Sequence, residues 1–274
     1  VVEMIVLGVV QGITEFLPIS SSGHLVLLQK VFGMRETGLL LEILLHVGSL
    51  IAVFAVFFKD FWMMLVHPVR MRAVRLLIIA TIPTVLVTVL LRSVLEAAFG
   101  GWFLGISFLI TSAILLLSDF LAARANANGI HRNDSVETLR YRQALLVGGA
   151  QAAAIVPGIS RSGATIVCGL AAGITRQTAA KFSFLMSAVA SVGSLVFKLR
   201  DLAGADSAAF EGGWLAMIAA MAAAAIVGYM AIRWMLRLII NTSLKWFGLY
   251  TGLIGAIILC DQLFFGVVFE KIFR

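Results

Sequence analysis

Hydrophobic positions run along this chain in stretches too long and too uniform for half-buried helices or strands. Segments at about 39–58, 76–92, 102–121, 176–197, 214–232 and 246–265 are predominantly apolar over the length of a full span. A hydrocarbon core about 30 Å thick is crossed by roughly 20 helical residues, so each of these six predicts a transmembrane helix. Two further segments, about 1–28 and 143–175, are apolar but broken by Gly, Pro and Ser. Irregular backbone at membrane depth is tolerated only where protein or an aqueous cavity satisfies its polar groups. The pattern therefore predicts an all-α polytopic membrane protein with six transmembrane helices plus two re-entrant helix–loop–helix elements, in one integral membrane domain spanning 1–274.

Composition agrees. Hydrophobic residues make up 61% of the 274 and charged residues 13%, against about a quarter charged in soluble domains; mean hydropathy is +1.04. The net charge of +7 is read as loop charge rather than a nucleic-acid surface, because no basic patch is interleaved with aromatics. Lys59, Arg70, Arg72 and Arg75 cluster between the first two spans, Arg124, Arg132, Arg140 and Arg142 at 122–142, and Arg233, Arg237 and Lys245 at 233–245. The alternate connections 29–38, 93–101 and 198–213 carry less excess positive charge, the last with Asp201, Asp206 and Glu211. Six spans place the three basic loops on one side, which the positive-inside rule makes cytoplasmic, and both termini outside. Cys168 and Cys260 sit in apolar runs and read as small buried hydrophobes rather than a disulfide or metal pair. The chain starts at Val1, so a short N-terminal piece is expected to precede it; no cleavable signal pattern is visible.

The two broken segments resemble each other. Without a gap, QGITEFLPISSSGHL (11–25) aligns with QAAAIVPGISRSGAT (151–165), pairing Gln11 with Gln151, Ser20 with Ser160, Ser22 with Ser162 and Gly23 with Gly163. Further on, VGSLIAVF from Val47 resembles VGSLVFKL from Val192, at a slightly longer offset. By the loop charges the first copy (about 1–121) starts outside and the second (about 143–265) inside. That predicts an inverted-topology repeat whose site lies near the midplane, where the broken helices meet.

Into that cavity the first loop would bring Gln11, Glu15, Ser20, Ser21, Ser22 and His24, the second Ser160, Arg161, Ser162, Gly163 and Thr165. Arginine forks onto phosphate oxygens, and helix N-termini and Gly-freed amides favour anions. The set predicts an oxyanion site, with phosphate the best match. Glu15 would repel a bare phosphate, so it implies either a bridging divalent cation or a general acid–base role. His24, three residues beyond Ser21, could activate that hydroxyl or itself accept a phosphoryl group. Close helix packing explains a Ser–Gly run taken alone, but not three ionisable side chains at membrane depth. His67 and His131 fall in basic loops and read as solvated. His46 and Glu42, one turn apart on a span, are either a supporting pair behind the cavity or a structural one. No His/Cys cluster has zinc spacing, and there is no Walker-type loop.

At QGITE followed by PISSSGH (11–24), and at PGISRSGAT (157–165), the chain closely resembles the undecaprenyl-pyrophosphate phosphatase family of the bacitracin-resistance type. The likeness in length, span pattern and internal repeat covers essentially the whole sequence. It implies hydrolysis of undecaprenyl pyrophosphate to the monophosphate and inorganic phosphate, which recycles the lipid carrier for cell-wall synthesis and confers bacitracin resistance. It also implies a site opening to the outer face of the bacterial inner membrane, and a divalent cation, Mg²⁺ or Ca²⁺. Position by position, Glu15 is the motif's second acidic residue, Ser21 and His24 are the catalytic Ser and His, and Arg161 binds phosphate. Gln11 stands where some members have Glu, which removes one anionic metal ligand and leaves Glu15 and Gln11 as the metal set. Ser21 is the preferred nucleophile, with His24 or water as competitors. The expected partners are the polyprenyl pyrophosphate and the membrane, with a homodimer as the candidate assembly.

Two other readings compete. Acid phosphatases that act on similar lipids also carry SGH and SR elements, but need a second His five residues after the SR pair, where Ile166 stands. A lipid-phosphate or phosphate transporter would explain the inverted repeat, Arg161 and the hydroxyls. It leaves Glu15 and His24 beside Ser21 without a purpose.

Overall fold

A computed structural model describes residues 1–34, 39–68, 71–91, 103–127, 134–204 and 213–269. Arg70, His131, Arg132, Asp206, Glu211 and the connection 93–101 lie outside the described residues. Twelve α-helices are described: α1 (Val2–Phe16), α2 (Ser21–Val31), α3 (Leu39–Val56), α4 (Phe58–Val66), α5 (Arg72–Leu90), α6 (Leu104–Leu116), α7 (Ser118–Ala127), α8 (Tyr141–Ala153), α9 (Arg161–Ala171), α10 (Arg176–Gly204), α11 (Trp214–Asn241) and α12 (Lys245–Cys260). A 3₁₀ turn at Val136–Thr138 precedes α8, and α12 runs on into a π-turn at Asp261–Phe265. No strand is present among the described residues.

Five helical stretches are long and apolar enough to cross a membrane: Arg72–Leu90, Leu104–Ala125, Arg176–Val196, Trp214–Asn241 and Lys245–Phe265. A sixth is the pair α3–α4, bent by 82° at Phe57. The span expected at 39–58 therefore ends in a sharp corner, and the connection expected at 59–75 begins as helix. Asp60 holds that corner, accepting from Lys181 Nζ of α10 at 2.6 Å. The span expected at 214–232 runs on to Asn241, because Arg233 and Arg237 can carry their charges to the headgroups on long apolar stems.

Both broken segments fold as helix, break, helix. The first break is dictated by Pro18, which lacks an N–H and pushes Leu17 to an extended conformation (φ −78°, ψ 147°). The helices after the breaks start and stop alike. Ser20 caps α2 by accepting from Gly23 N at 3.3 Å, and Ser160 caps α9 by accepting from Gly163 N at 3.0 Å. Both end in a glycine of positive φ, Gly33 (+62°) and Gly173 (+81°), whose N–H groups bond Lys30 O and Leu170 O.

The packing is crossed. Gly8 of α1 lies so close to α11 that a Cβ there would stand 2.2 Å from Ala220 O, and Gly148 of α8 is equally close to α5, 2.1 Å from Ala80 O. Gly8 and Gly148 correspond in the gapless alignment of the two segments, and Ala80 and Ala220 fall in the same register. Small residues let the backbones approach where lipid supplies no hydrophobic drive. The two VGSL stretches differ: Gly48 packs 2.4 Å (as Cβ) from Met221 O of α11, whereas Gly193 of α10 has nothing within 4 Å. The main core centres on α10, where Phe182, Phe184, Leu185 and Met186 are fully buried and Phe184 meets Phe16 edge-on at 5.7 Å.

Candidate active site

The break between α1 and α2 and the break before α9 face one cavity, lined by Thr14, Glu15, Ser20, Ser21, Ser22, Ile159, Ser160, Arg161, Ser162 and Ser187. The loops are tied directly: Ser162 Oγ donates to Leu17 O at 3.0 Å. Thr111 of α6 braces the second loop, accepting from Ser160 N and donating to Gly158 O, both at 2.9 Å. The two Ser-rich loops thus converge, although Gln11, His24, Gly163 and Thr165, also expected in the cavity, are not part of its lining. The N-termini of α2 and α9 both open on the cavity, and their first amides have no partner within the helix.

Glu15 is the hub. Its Oε1 accepts from Arg161 Nη2 at 2.6 Å, and its Oε2 accepts from Ser21 Oγ at 2.5 Å and from Gln11 Nε2 at 3.2 Å. Glu15 is 8% exposed, and an unpaired carboxylate so placed would be very costly. Gln11 Nε2 also donates to Ser49 Oγ at 3.1 Å. A carboxylate only accepts, so the amide nitrogen must face Glu15; this leaves Gln11 Oε1 buried without a partner.

His24 is held differently from the sequence expectation. Its Nδ1 lies 2.6 Å from Ser20 O, and its Nε2 lies 2.8 Å from Tyr250 Oη of α12. Ser21 is therefore paired with Glu15 and not with His24. The cause is local. Ser20 has φ +71°, the only positive φ at a non-glycine among the described residues, and its carbonyl accepts from the imidazole. Such a conformation costs about 1–3 kcal/mol and persists where its surroundings hold it.

Other expected residues divide in the same way. Ser20, Ser22, Ser160 and Ser162 line the cavity, while the Gly23 and Gly163 amides are engaged by the serine caps. Thr165 faces away, its hydroxyl bonded to Arg161 O at 2.7 Å and to Ser183 Oγ of α10 at 2.6 Å. His46 donates from Nδ1 to the Glu42 backbone carbonyl at 2.8 Å. His67 is exposed, as a loop histidine should be. Thr111, Ser187 and Tyr250 were not legible in the sequence, since a lone hydroxyl on an apolar helix carries no spacing signal.

Carboxylate and amide oxygens are the donor types that suit a hard divalent cation. Glu15 offers a carboxylate, and the orphaned Gln11 Oε1 an amide oxygen that lacks any other partner. Among the described residues no group of three or more His, Cys, Asp or Glu side chains could form a metal cage. A cation here would thus draw most of its ligands from phosphate and water.

Fold and cavity together define a multi-pass helical membrane protein with a polar, Arg- and Glu-containing site inside its apolar body. The family model described as "Bacitracin resistance protein BacA" matches residues 4–257, and the chain belongs to that family. Among its relatives are the "Undecaprenyl-diphosphatase" of Carboxydothermus hydrogenoformans, 39% identical with 95% of this chain and 97% of that protein covered, and that of Methanosphaera stadtmanae, 37% identical over 94% and 96%. "Undecaprenyl-diphosphatase 4" of Bacillus thuringiensis is 38% identical, over 95% and 96%.

Proposed function

We propose that this protein hydrolyses undecaprenyl pyrophosphate to undecaprenyl phosphate and inorganic phosphate, returning the lipid carrier to cell-wall synthesis and conferring resistance to bacitracin. Family membership and the names of the relatives support the substrate. The observation that carries the chemistry is the chain Ser21–Glu15–Arg161, bonded at 2.5 and 2.6 Å where two helix N-termini meet.

In this reading the terminal phosphate lies between those N-termini, its charge met by the Arg161 guanidinium and the first amides of α2 and α9. Ser21 Oγ attacks the terminal phosphorus while its proton passes to Glu15. The bond to the bridging oxygen breaks and undecaprenyl phosphate leaves with that oxygen. Water then cleaves the Ser21–phosphate bond and releases inorganic phosphate. Glu15 and Gln11 would hold the divalent cation, Mg²⁺ or Ca²⁺, which when bound supplies charge neutralisation on the phosphate oxygens.

The same reading treats α1–α2 and α8–α9 as re-entrant elements of an inverted repeat. The matched caps and the crossed Gly8–Ala220 and Gly148–Ala80 contacts support it. The protein then lies in the bacterial inner membrane with its basic loops cytoplasmic and its site open to the outer face.

The test is phosphate release from undecaprenyl pyrophosphate by purified protein in detergent, with and without EDTA. Glu15→Ala, Ser21→Ala, His24→Ala and Arg161→Ala are run in parallel, with folding checked by thermal unfolding. EDTA-sensitive release that drops about 10²-fold or more in the folded variants is expected. A folded wild type that releases no phosphate would leave the lipid-phosphate transporter as the better reading.

A further inference from the structure

We infer that Tyr250 is a positioning residue for this reaction, holding His24 in one tautomer and one orientation, away from Ser21. The inference rests on the phosphatase reading. A carbonyl oxygen only accepts, so the 2.6 Å contact with Ser20 O places the proton of a neutral His24 on Nδ1. Nε2 then carries the lone pair, and the Tyr250 hydroxyl donates to it at 2.8 Å. The ring is fixed on its remaining sides as well. Phe108 of α6 meets it edge-on at 5.2 Å, and the Tyr250 ring lies parallel to it at 5.7 Å. An imidazole with both nitrogens bonded and its ring walled by two aromatics is over-determined, as preorganised catalytic groups are.

The bland account is that a tyrosine hydroxyl in a membrane helix takes whichever acceptor is near. That account predicts an unchanged kcat in Tyr250→Phe, whereas a positioning role predicts a loss. The consequence for mechanism is a division of labour. Glu15 alone takes the Ser21 proton, and His24 Nε2 is kept as an acceptor for a separate proton transfer.

Tyr250→Phe removes the hydroxyl and keeps the ring. The expected result is a fall in kcat on the order of ten-fold with KM unchanged, since no phosphate contact is lost. The four histidines allow ¹⁵N-histidine labelling with His24→Gln for assignment, and the Nε2 resonance of His24 should move in Tyr250→Phe. Tyr250→Gln, which retains an N–H donor, should recover part of the loss in kcat. A Tyr250→Phe protein with wild-type kcat and an unmoved His24 resonance overturns the proposal. So does Tyr250→Gln as impaired as Tyr250→Phe, which would mark a packing role. If instead the wild type releases no phosphate while the resonance still responds to Tyr250→Phe, the phosphatase reading fails and this role falls with it.

Discussion

At the scale of single residues, the site is governed by what each polar atom can and cannot donate. Glu15 accepts from Ser21, Gln11 and Arg161, so its charge is fully compensated by protein. Gln11 offers one oxygen with no donor, and that atom is where the cation question can be asked. Gln11→Glu puts a second carboxylate beside Glu15. Cation affinity follows ligand charge, so the Mg²⁺ concentration for half-maximal phosphate release should fall, by roughly ten-fold. Two buried carboxylates repel without a cation, so the variant should melt below wild type in EDTA and recover when Mg²⁺ is added. Equal melting with and without Mg²⁺ would remove Gln11 and Glu15 as the metal set.

The elements show why small residues recur along helices whose outward faces carry Ile, Leu and Val. A Cβ at Gly148 would stand 2.1 Å from the Ala80 carbonyl, a backbone atom that cannot swing aside, whereas the neighbouring Gly149 has nothing within 4 Å. Gly148→Ala should therefore destabilise the protein by about 1–3 kcal/mol through forced separation of α5 and α8. Gly149→Ala should be neutral or stabilising by about 0.5–1 kcal/mol, since it only restricts a helical glycine. Thermal unfolding of the two variants side by side reads the difference, and similar losses would argue against the packing. Ion pairs act at this scale too. Arg176 joins α10 to α7 through Asp119 at 2.6 Å and to the end of α11 through Thr242 O at 2.7 Å, while Ser243 also bonds Asp119. With Lys181 and Asp60, these contacts clamp the N-terminal part of α10 next to the basic connections.

For the whole molecule, loop charge argues for one orientation in the membrane. Three basic connections on one side predict that the 3₁₀ turn at Val136–Thr138 is cytoplasmic. A single cysteine at the exposed Ser135, with Cys168 and Cys260 replaced by Ala, should resist a membrane-impermeant maleimide in intact cells and react in inverted vesicles. Labelling from outside would reverse the topology and turn the proposed opening of the site to the cytoplasmic face.

Much of this molecule is legible in its amino-acid sequence. The apolar runs locate the spans, because lipid demands about 20 apolar residues per crossing. Gly, Pro and Ser locate the two breaks, because those residues act on the backbone locally. The paired motifs nominate Glu15, Ser21, His24 and Arg161, of which Glu15, Ser21 and Arg161 line one cavity. Three things needed the tertiary structure. The 82° corner after α3 is accompanied by an ion pair from Asp60 to Lys181 of α10, and no local pattern encodes it. The crossing of α1 onto α11 and α8 onto α5 depends on which glycine meets which carbonyl. The partner of each site atom was also hidden: Ser21 bonds Glu15, while His24 turns to Tyr250, which lies 226 positions further along the chain. Sequence by itself determined which elements form and which chemistry they carry, since propensity and solvation act along the chain. Only the folded molecule decided the pairings, since hydrogen bonds and close packing act through space.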